Sequence, residues 1–495
     1  MNVGLLALYT LAALGLAIYG LNYFVTVWLW ARRRADSPRL PVLARVPVVT
    51  VQLPIYNERY VVERLIDAAA ALEWDRARLQ IQVLDDSDDA TVPLAHARVE
   101  QHRRRGIDIA IVRRAHRDGY KAGALAHALA DARGEFIAIF DADFVPPPDF
   151  LQKTIPHLAA DARVGMAQTR WGHLNADYSA LTRAQALALD GHFAIEQAAR
   201  AANNLFMNFN GSGGVWRRAC IADAGGWHSD TLSEDLDLSY RAQMRGWKFL
   251  FLPDVVAPAE IPPQIHAFKR QQFRWAKGST QVLIKLATRV ARARGASRFK
   301  RAQGLLHLSG YLMNPLMLLL ILALVPMLAL RIHPPEILMY LSLATFGPIT
   351  LYALSQRALY RDGRARFAYF GALFLLGIGM AWNNSLAVME AFTRRGNTFR
   401  RTPKFRVEGE ADAWESKEYA LAFGWEAVGE LGLGVYALIG AGIAWQQNLL
   451  WALPYLLLYA AGFFYTGLLS IAHGLPYAKF QSFKVSLFQI DNASR

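Results

Sequence analysis

Four short motifs of acidic, amide, basic and aromatic side chains follow one another along the chain, between one N-terminal apolar segment and several C-terminal ones. They are Asp85-Asp86-Ser87, Asp141-Ala142-Asp143, Ser233-Glu234-Asp235 and Gln271-Gln272-Phe273-Arg274-Trp275. Carboxylates can bind a metal or accept a proton, a guanidinium can pair with phosphate, and an indole can stack on a sugar. This order predicts an enzyme that handles a nucleotide diphosphate beside a membrane.

Asp141 and Asp143 are the strongest indication of a metal site. They follow the apolar run 136–140, which predicts a buried strand that ends in concentrated negative charge. Hard oxygen ligands suit magnesium or manganese, and such a metal would bridge two phosphates and stabilise the charge on a leaving diphosphate. The alternative is a pair of solvated turn acids before the proline run 146–148, and the strand context favours the metal.

Two further loops follow predicted strands and can hold a nucleotide. Tyr56 can stack on a base, while Glu58, Asp85 or Asp86 accepts hydrogen bonds from base or ribose. Asn and Asp are also common in loops simply because they turn the chain or cap a helix. Taken alone, each loop favours that structural interpretation.

Lys121 stands between Gly119 and Gly123 just before a predicted helix, where backbone amides and an ammonium can meet a phosphate. A solvated helix start is the competing interpretation. Ser233 is a plausible cap of a second helix, and Asp235 in its first turn can remove a proton from an incoming hydroxyl.

The last motif lies shortly before the C-terminal apolar segments. Arg274 can pair with diphosphate, and Trp275 offers a flat apolar face to a sugar ring. An interfacial helix anchored by Trp and Arg at the lipid headgroups is a serious alternative at this position.

The elements that must position these residues alternate between short apolar strands and amphipathic helical stretches from about residue 47 to 260. This alternation predicts a mostly parallel sheet with helices on both faces. Ligands bind beyond the carboxyl ends of the strands in such sheets, where the predicted loops converge.

Composition indicates a soluble domain joined to membrane spans, because 54% of the 495 residues are hydrophobic and one long stretch is polar. The formal net charge is +14, but basic residues concentrate beside apolar segments, at 32–34, 394–395 and 400–401. Positive-inside topology explains this pattern, so we expect no nucleic-acid binding. The single Cys220 excludes an internal disulfide framework and fits a cytosolic domain.

The apolar segments predict about five membrane spans. They lie near residues 4–29, 304–330, 335–356, 419–445 and 448–472. The first is a retained anchor whose C-terminal end faces the cytosol. Segment 367–393 is interrupted by Asn383, Asn384 and Glu390 and has basic flanks on both sides, which favours an interfacial or re-entrant helix.

These motifs in this order resemble the inverting, processive-type glycosyltransferases of family 2, the cellulose synthase superfamily. The resemblance covers nearly the whole chain. The motif sequences are most similar to those of the plant cellulose-synthase-like A and C groups, the mannan and xyloglucan-backbone synthases. It is carried by residues 80–87, 119–125, 140–144, 209–216 and 224–227.

The resemblance implies an α/β GT-A (Rossmann-like) cytosolic catalytic domain joined to an α-helical transmembrane region. The implied division is 1–34 N-terminal anchor, 45–300 GT-A domain, 301–360 transmembrane hairpin, 361–415 interfacial helix and gating-like loop, 416–475 transmembrane hairpin and 476–495 cytosolic tail.

The resemblance also implies a role for each motif. Asp85 and Asp86 would hold the nucleotide, Asp141 and Asp143 would serve diphosphate and metal, and Asp235 would be the general base. The acceptor and diphosphate side would comprise Phe209, Asn210, Gly211, Ser212, Glu234, Gln271, Arg274 and Trp275. Phe399, Thr402 and Lys404 match a gating-loop pattern, from which Arg401 and Pro403 depart.

The expected protein is a membrane-embedded inverting β-glycosyltransferase that adds hexose from UDP-glucose or GDP-mannose to the non-reducing end of a growing β-glycan, using Mg²⁺ or Mn²⁺. Its other partners would be the glycan acceptor and the lipid bilayer. Alanine- and arginine-rich composition indicates a bacterial plasma membrane. The alternatives are a lipid-directed glycosyltransferase of the ceramide glucosyltransferase kind and a non-catalytic membrane transporter or scaffold.

Overall fold

The computed structural model describes residues 2–32, 39–393, 398–409 and 412–475. Seven β-strands form one sheet within these ranges: β1 Val49–Ile55, β2 Leu79–Asp85, β3 Ile109–Val112, β4 Phe136–Ile139, β5 Val164–His173, β6 Gly214–Arg217 and β7 Lys248–Ala259. Their order in the sheet is β3-β2-β1-β4-β6-β5-β7.

The α-helices of the described residues surround the sheet and then form the membrane region. They are α1 Asn2–Arg32, α2 Val62–Ala70, α3 Thr91–Arg104, α4 Tyr120–Leu129, α5 Phe150–Ala160, α6 Ala180–Gly191, α7 Ala198–Ala202, α8 Arg218–Asp223, α9 Glu234–Met244, α10 Ile265–Ala291, α11 Arg298–Leu308, α12 Met313–Ala329, α13 Phe346–Leu359, α14 Phe370–Thr393, α15 Glu426–Gln446 and α16 Leu453–Gly474. A π-helix, His192–Gln197, joins α6 to α7. Short 3₁₀ helices span Arg76–Arg78, Ala176–Tyr178, Gly310–Leu312, Glu336–Thr345 and Ala365–Tyr369.

The sheet is mostly parallel, as the sequence predicts. Strands β1 to β4 pair in parallel, and β5 pairs in parallel with β7. Strand β6 is antiparallel to both β4 and β5. Its first residue, Gly214, lies opposite Ile139 at the carboxyl end of β4, so the loop before β6 reaches the same edge as Asp141.

Helices cover both faces of the sheet, which explains why its strands read as continuous apolar runs. In β4, Phe136 and Ala138 belong to one buried cluster, while Ile137 and Ile139 belong to the other. The side chains of all four are fully buried. This double-sided core fixes the strand ends from which the site residues project.

Six helical segments of the described residues are long and apolar enough to cross a membrane, as expected of a multi-pass membrane protein. They are Val3–Arg32, Gly310–Ala329, Glu336–Leu359, Ala365–Thr393, Glu426–Gln446 and Leu453–Gly474. The fourth is the predicted interfacial segment, which packs on α10, α12 and α16. Its length and composition also allow a span, and its interfacial placement stays a prediction.

Two predicted spans differ in extent from the helices. Residues 304–308 end the separate helix α11, and α12 begins only at Met313. Likewise α15 begins at Glu426, while Tyr419 packs in a cluster with Phe405 and Ala267. The predicted basic residues Arg33, Arg34, Arg394 and Arg395 and the tail 476–495 lie outside the described residues.

Helix α10 connects the domain built around the sheet to the membrane helices. The Nζ of Lys269 donates to Oε2 of Glu430 on α15 at 2.7 Å and to the hydroxyl of Ser470 on α16 at 2.7 Å. Lys269 and Glu430 are both buried. A buried charge is tolerated when it is paired and hydrogen-bonded, so this contact ties α10 to two membrane helices.

Candidate active site

The predicted site residues gather at the carboxyl ends of β1, β2 and β4. Asp85 ends β2 and pairs in register with Ile55, and Asp141 follows β4. Because β6 starts at this edge, the loop 209–212 lies beside Asp141, whose backbone N–H donates to the hydroxyl of Ser212 at 2.9 Å. The topology therefore brings together motifs that lie far apart in the sequence.

Asp85 and Asp86 are held by arginines from the loop after β3. Asp85 Oδ2 accepts from Arg113 at 2.7 Å, and its Oδ1 accepts from the backbone N–H of Ser87 at 2.9 Å. Both oxygens of Asp86 accept from Arg114, at 2.9 and 2.6 Å. The two carboxylates that the sequence assigns to the nucleotide thus already have strong partners within the protein.

Tyr56 lies beside a third arginine of that loop. The guanidinium carbon of Arg117 is 3.4 Å from the centre of the Tyr56 ring, which is a cation–π stack. Arg117 also lies 4.9 Å from the ring centre of Tyr120 and 5.6 Å from that of Phe399. The predicted base-stacking tyrosine therefore has its ring face covered by a planar cation.

Glu58 is buried on the side of the gating-like loop. Its Oε2 lies 3.3 Å from Arg401, the residue that departs from the loop pattern. Burial raises the pKa of Glu58 to about 8, against the lowering effects of Arg401 and Lys404. Arg401 thus supplies a counter-charge to a carboxylate at the edge of the site.

Lys121 lies in the first turn of α4 and joins three parts of the site. Its Nζ is 2.5 Å from Oδ1 of Asp141, donates to the carbonyl of Gly211 at 2.8 Å and lies 3.8 Å from Glu234. Burial disfavours its charged form, but Asp141 and Glu234 outweigh burial and raise the pKa of Lys121. Lys121 therefore remains positively charged, because the surrounding carboxylates stabilise its ammonium group.

The gating-like loop is docked into the site. The Nζ of Lys404 lies 2.6 Å from Oδ2 of Asp143, and the ring of Phe399 stacks on Tyr120 at 5.6 Å between centres. Thr402 is buried beside them. The backbone N–H groups of Phe405 and Arg406 each donate to one carboxylate oxygen of the buried Glu260, at 2.9 Å in both cases.

Asp235 lies in the first turn of α9 with its carboxylate facing the loop 209–212. A side chain on Gly211, which has a φ of +86°, would place its Cβ 2.9 Å from Oδ2 of Asp235. Glycine is therefore required at this approach. Burial, followed by the neighbouring Glu234, raises the pKa of Asp235 to about 7, while Lys121 opposes the shift. Such a group can exchange a proton near neutral pH.

The loop 209–212 is positioned by the π-helix and by α9. The side-chain amide of Gln197 donates to Oδ1 of Asn210 at 2.7 Å, and Nε2 of His192 lies 2.9 Å from Nδ2 of Asn210. The backbone N–H of Phe209 donates to Ser239 of α9 at 2.8 Å. Ser233 occupies the N-cap position of α9, but its side chain makes no capping hydrogen bond there.

Gln271, Arg274 and Trp275 lie half-buried on α10. The guanidinium carbon of Arg274 lies 4.7 Å from the ring centre of Phe399. Burial lowers the pKa of Arg274, against the opposing field of four site carboxylates, Asp141 first among them. Gly278 lies one turn further along α10 and lets Ser233 approach the helix. A Cβ atom at position 278 would be 2.2 Å from the hydroxyl oxygen of Ser233.

Sequence reasoning missed the arginines that hold the acids and the glutamate that holds the loop. Arg113, Arg114 and Arg117 belong to a basic stretch that reads as a solvated loop. Glu260 directly follows β7, and that position at the ligand edge of a strand is the signal that could have identified it.

Comparisons with known proteins agree with this geometry. Residues 47–278 match the family described as glycosyltransferase like family 2. The probable glucomannan 4-beta-mannosyltransferase 4 of Oryza sativa subsp. japonica is 42% identical over 262 residues, which cover 52% of this chain and 48% of that protein. Glucomannan 4-beta-mannosyltransferase 2 of Arabidopsis thaliana is 42% identical over 259 residues, with the same coverage. The chain spans about half the length of these curated relatives.

A solved structure extends the agreement to the fold. The mannosyltransferase PcManGT from Pyrobaculum calidifontis, determined in complex with GDP-Man and Mn²⁺, superposes with a TM-score of 0.54 at 22% sequence identity. The match covers 79% of this chain and 99% of that one. The GT-A fold and the resemblance to family 2 are therefore confirmed, and residues 47–278 match the glycosyltransferase domain of family 2.

Proposed function

We propose that the chain is a mannan-type synthase, which transfers mannose from GDP-mannose to the non-reducing end of a growing β-glycan with inversion at the anomeric carbon. The observation that carries the proposal is the position of Asp235. Its half-buried carboxylate, with a raised pKa, lies beside Lys121 and the loop 209–212. The relatives named as glucomannan 4-beta-mannosyltransferases support mannose as the sugar and a 1,4 linkage.

Asp235 acts as the general base in this proposal. It takes the proton of the acceptor hydroxyl while that oxygen attacks the anomeric carbon and the bond to the nucleoside diphosphate breaks. A single displacement of this kind converts an α-linked donor into a β-linked product. The backbone of Gly211 leaves room for the acceptor oxygen because no side chain stands in front of the carboxylate.

Cationic side chains would receive the diphosphate. Lys121, Arg274 and Lys404 approach the site from three different elements, and Asp141 interacts electrostatically with the first two. Fixed cations stabilise the negative charge that develops on a leaving diphosphate. Tyr56, Asp85, Asp86 and Glu58 would form the rest of the donor site. Arg113 already pairs with Asp85 and Arg114 with Asp86, which gives these two carboxylates a supporting role there.

Asp141 and Asp143 fit a divalent cation. Each carboxylate already attracts one ammonium, Lys121 at 2.5 Å and Lys404 at 2.6 Å, so the pair creates a field that favours cations. Carboxylate oxygens are the ligands that Mg²⁺ and Mn²⁺ prefer. A bound cation would supply charge neutralisation to the diphosphate, and these two residues would hold it.

The acceptor would enter along α10. Trp275 would stack on a sugar ring, Gln271 would hydrogen-bond to it, and the loop 209–212 would complete the acceptor site. The membrane helices continue from this point, which supports release of the chain towards the bilayer. We place the catalytic domain in the cytosol of a bacterium, with Phe399, Thr402 and Lys404 closing over the donor.

The test is direct. The purified full chain in detergent or lipid nanodiscs is incubated with labelled GDP-mannose or UDP-glucose and Mg²⁺ or Mn²⁺, and the product is digested with β-1,4-specific mannanase or glucanase. A mannanase-sensitive polymer supports the proposal. A product that partitions into organic solvent identifies a lipid-directed transferase, and absence of donor turnover identifies a non-catalytic protein.

A further inference from the structure

The side of the site around Tyr56 contains few polar groups with free hydrogen-bonding capacity. Both oxygens of Asp86 are engaged by Arg114, and those of Asp85 are engaged by Arg113 and the backbone of Ser87. Glu58 forms an ion pair with Arg401 at 3.3 Å, and its Oε2 has no hydrogen-bond partner within the described residues. The carboxylates of Asp85 and Asp86 are therefore poorly available to a base.

Arg117, in contrast, has hydrogen-bond donors that are not used within the protein. Within the described residues its guanidinium donates no hydrogen bond, and its Nε is buried without a hydrogen-bond partner. Its closest charged atom is Oδ2 of Asp86, at 4.0 Å from Nε. The group is held instead by the ring faces of Tyr56, Tyr120 and Phe399. A planar group with unused donors thus lies on the ring where a base would stack.

The donor-only character of arginine restricts what it can recognise. Guanine presents two adjacent acceptors, O6 and N7, to which one guanidinium donates a bidentate pair of hydrogen bonds. Uracil presents a single carbonyl oxygen along the corresponding edge and has no N7. Arg117 can therefore distinguish the two bases, whereas stacking on Tyr56 cannot, because every base has a π-face.

A base can reach Tyr56 without breaking hydrogen bonds inside the protein. The guanidinium has only to leave the ring face, which loses a cation–π contact that a base–tyrosine stack replaces. Arg114 cannot move in this way, because its side chain donates to Asp86 and to the backbone carbonyls of 118 and 120. Of these two arginines, Arg117 is the one that can turn to the edge of a bound base.

We propose that Arg117 determines nucleotide specificity, by donating two hydrogen bonds to O6 and N7 of guanine while Tyr56 stacks on the same base. The inference rests on the proposed function, because it assigns a guanine nucleotide to the donor site. It adds a residue that accounts for the choice of GDP-mannose over UDP-glucose.

The experiment measures the binding of GDP, UDP and 7-deaza-GDP to the full chain by isothermal titration calorimetry. The variants are Arg117→Ala and Arg117→Lys, and the charge-matched control is Arg104→Ala, an exposed arginine at the end of α3. Arg117→Lys keeps the positive charge but loses the bidentate geometry. Size-exclusion profiles and thermal melting establish that each variant is folded.

We expect wild type to bind GDP more tightly than UDP and more tightly than 7-deaza-GDP, which lacks N7. Arg117→Ala should weaken GDP binding by roughly 5- to 150-fold, the fold equivalent of one bidentate arginine–guanine pair, and UDP binding by much less. Arg117→Lys should lose most of the preference, and Arg104→Ala should keep it.

Equal weakening of GDP and UDP in Arg117→Ala would overturn the inference, and so would a wild-type preference for UDP. Mannosyl transfer is measured separately on the same preparations. Transfer from GDP-mannose by wild type, with an unchanged GDP-to-UDP ratio in Arg117→Ala, would refute the role of Arg117 alone. Selective GDP binding without any transfer would refute the proposed function and leave the role of Arg117 intact.

Discussion

The Nζ of Lys404 lies 2.6 Å from Oδ2 of Asp143, and this contact joins a loop near the membrane helices to the paired acids that follow β4. The loop departs at Arg401 and Pro403 from the gating-loop pattern that the resemblance implies, and its Lys404 nevertheless contacts Asp143. Arg401 contributes its own ion pair with Glu58. The departure therefore adds a contact to the docked loop.

Replacing Glu260 with Gln should release this loop. The carboxylate accepts one backbone hydrogen bond on each oxygen, and the amide of glutamine can accept only on one side. A buried donor left unpaired costs about 1–3 kcal/mol, so amide exchange at 405–407 should accelerate by roughly 5- to 150-fold. Hydrogen–deuterium exchange with mass spectrometry measures this. The control Glu73→Gln changes an exposed glutamate, and unchanged exchange in Glu260→Gln would contradict the docking role.

Replacing Asp235 with Asn should abolish transfer and preserve donor binding. The amide cannot accept the proton of the acceptor hydroxyl, and the loss of a general base lowers kcat by about 10²–10⁴-fold. Incorporation of labelled mannose and calorimetric binding of GDP are measured side by side. Asp254→Asn, on the exposed surface of β7, serves as the control. Substantial polymer synthesis by Asp235→Asn would exclude the assignment.

The pH dependence of kcat should follow the titration of Asp235. Burial and Glu234 raise its pKa to about 7, so the carboxyl is protonated and inactive as a base below that pH. The rate at saturating donor and acceptor should therefore rise between pH 6 and 8. Glu234→Gln removes a neighbouring negative charge, which should move the rise to lower pH. A profile that is flat over this range would argue against Asp235 as the titrating base.

The buried pair of Lys269 and Glu430 should stabilise the junction between α10 and the membrane helices. Lys269→Met alone leaves a buried carboxylate unpaired, which costs about 3–5 kcal/mol. The double change Lys269→Met with Glu430→Leu removes both charges and should recover most of that loss. Thermal unfolding in detergent gives the comparison. Lys153→Met, at a surface ion pair, should change stability by less than about 1 kcal/mol.

The positions of the acids could be predicted from the sequence because parallel strands bring their carboxyl ends to one edge. Asp85 and Asp141 lie at that edge for this reason, while Asp235 reaches the site from the first turn of α9, which faces the loop 209–212. Arg113, Arg114 and Arg117 were missed, because the loop after β3 becomes a neighbour of Asp85 and Asp86 only in the strand order β3-β2-β1. Sequence spacing alone does not determine that order.

Contacts with the gating-like loop are even harder to predict from the sequence. Phe405 and Glu260 lie 145 positions apart and meet through backbone hydrogen bonds, which leave no mark in side-chain types. Gln197 and the π-helix around it show the same limit, since a single-turn π-helix has no distinct apolar period. The sequence thus indicates the candidate reactive side chains, whereas the groups that hold them in place become visible only in the fold.

Helix α10 has a consequence for how this protein can vary in evolution or by design. Arg274 contacts Phe399 and the field of the site carboxylates, while Lys269 is fixed on Glu430 and Ser470 by hydrogen bonds. Inserting one residue after Lys269 would turn everything beyond it by about 100° and shift it by about 1.5 Å along the axis. The length of α10 therefore fixes the distance and the rotation between the membrane helices and the site. We expect its length to be invariant where surface loops of the same domain tolerate insertions.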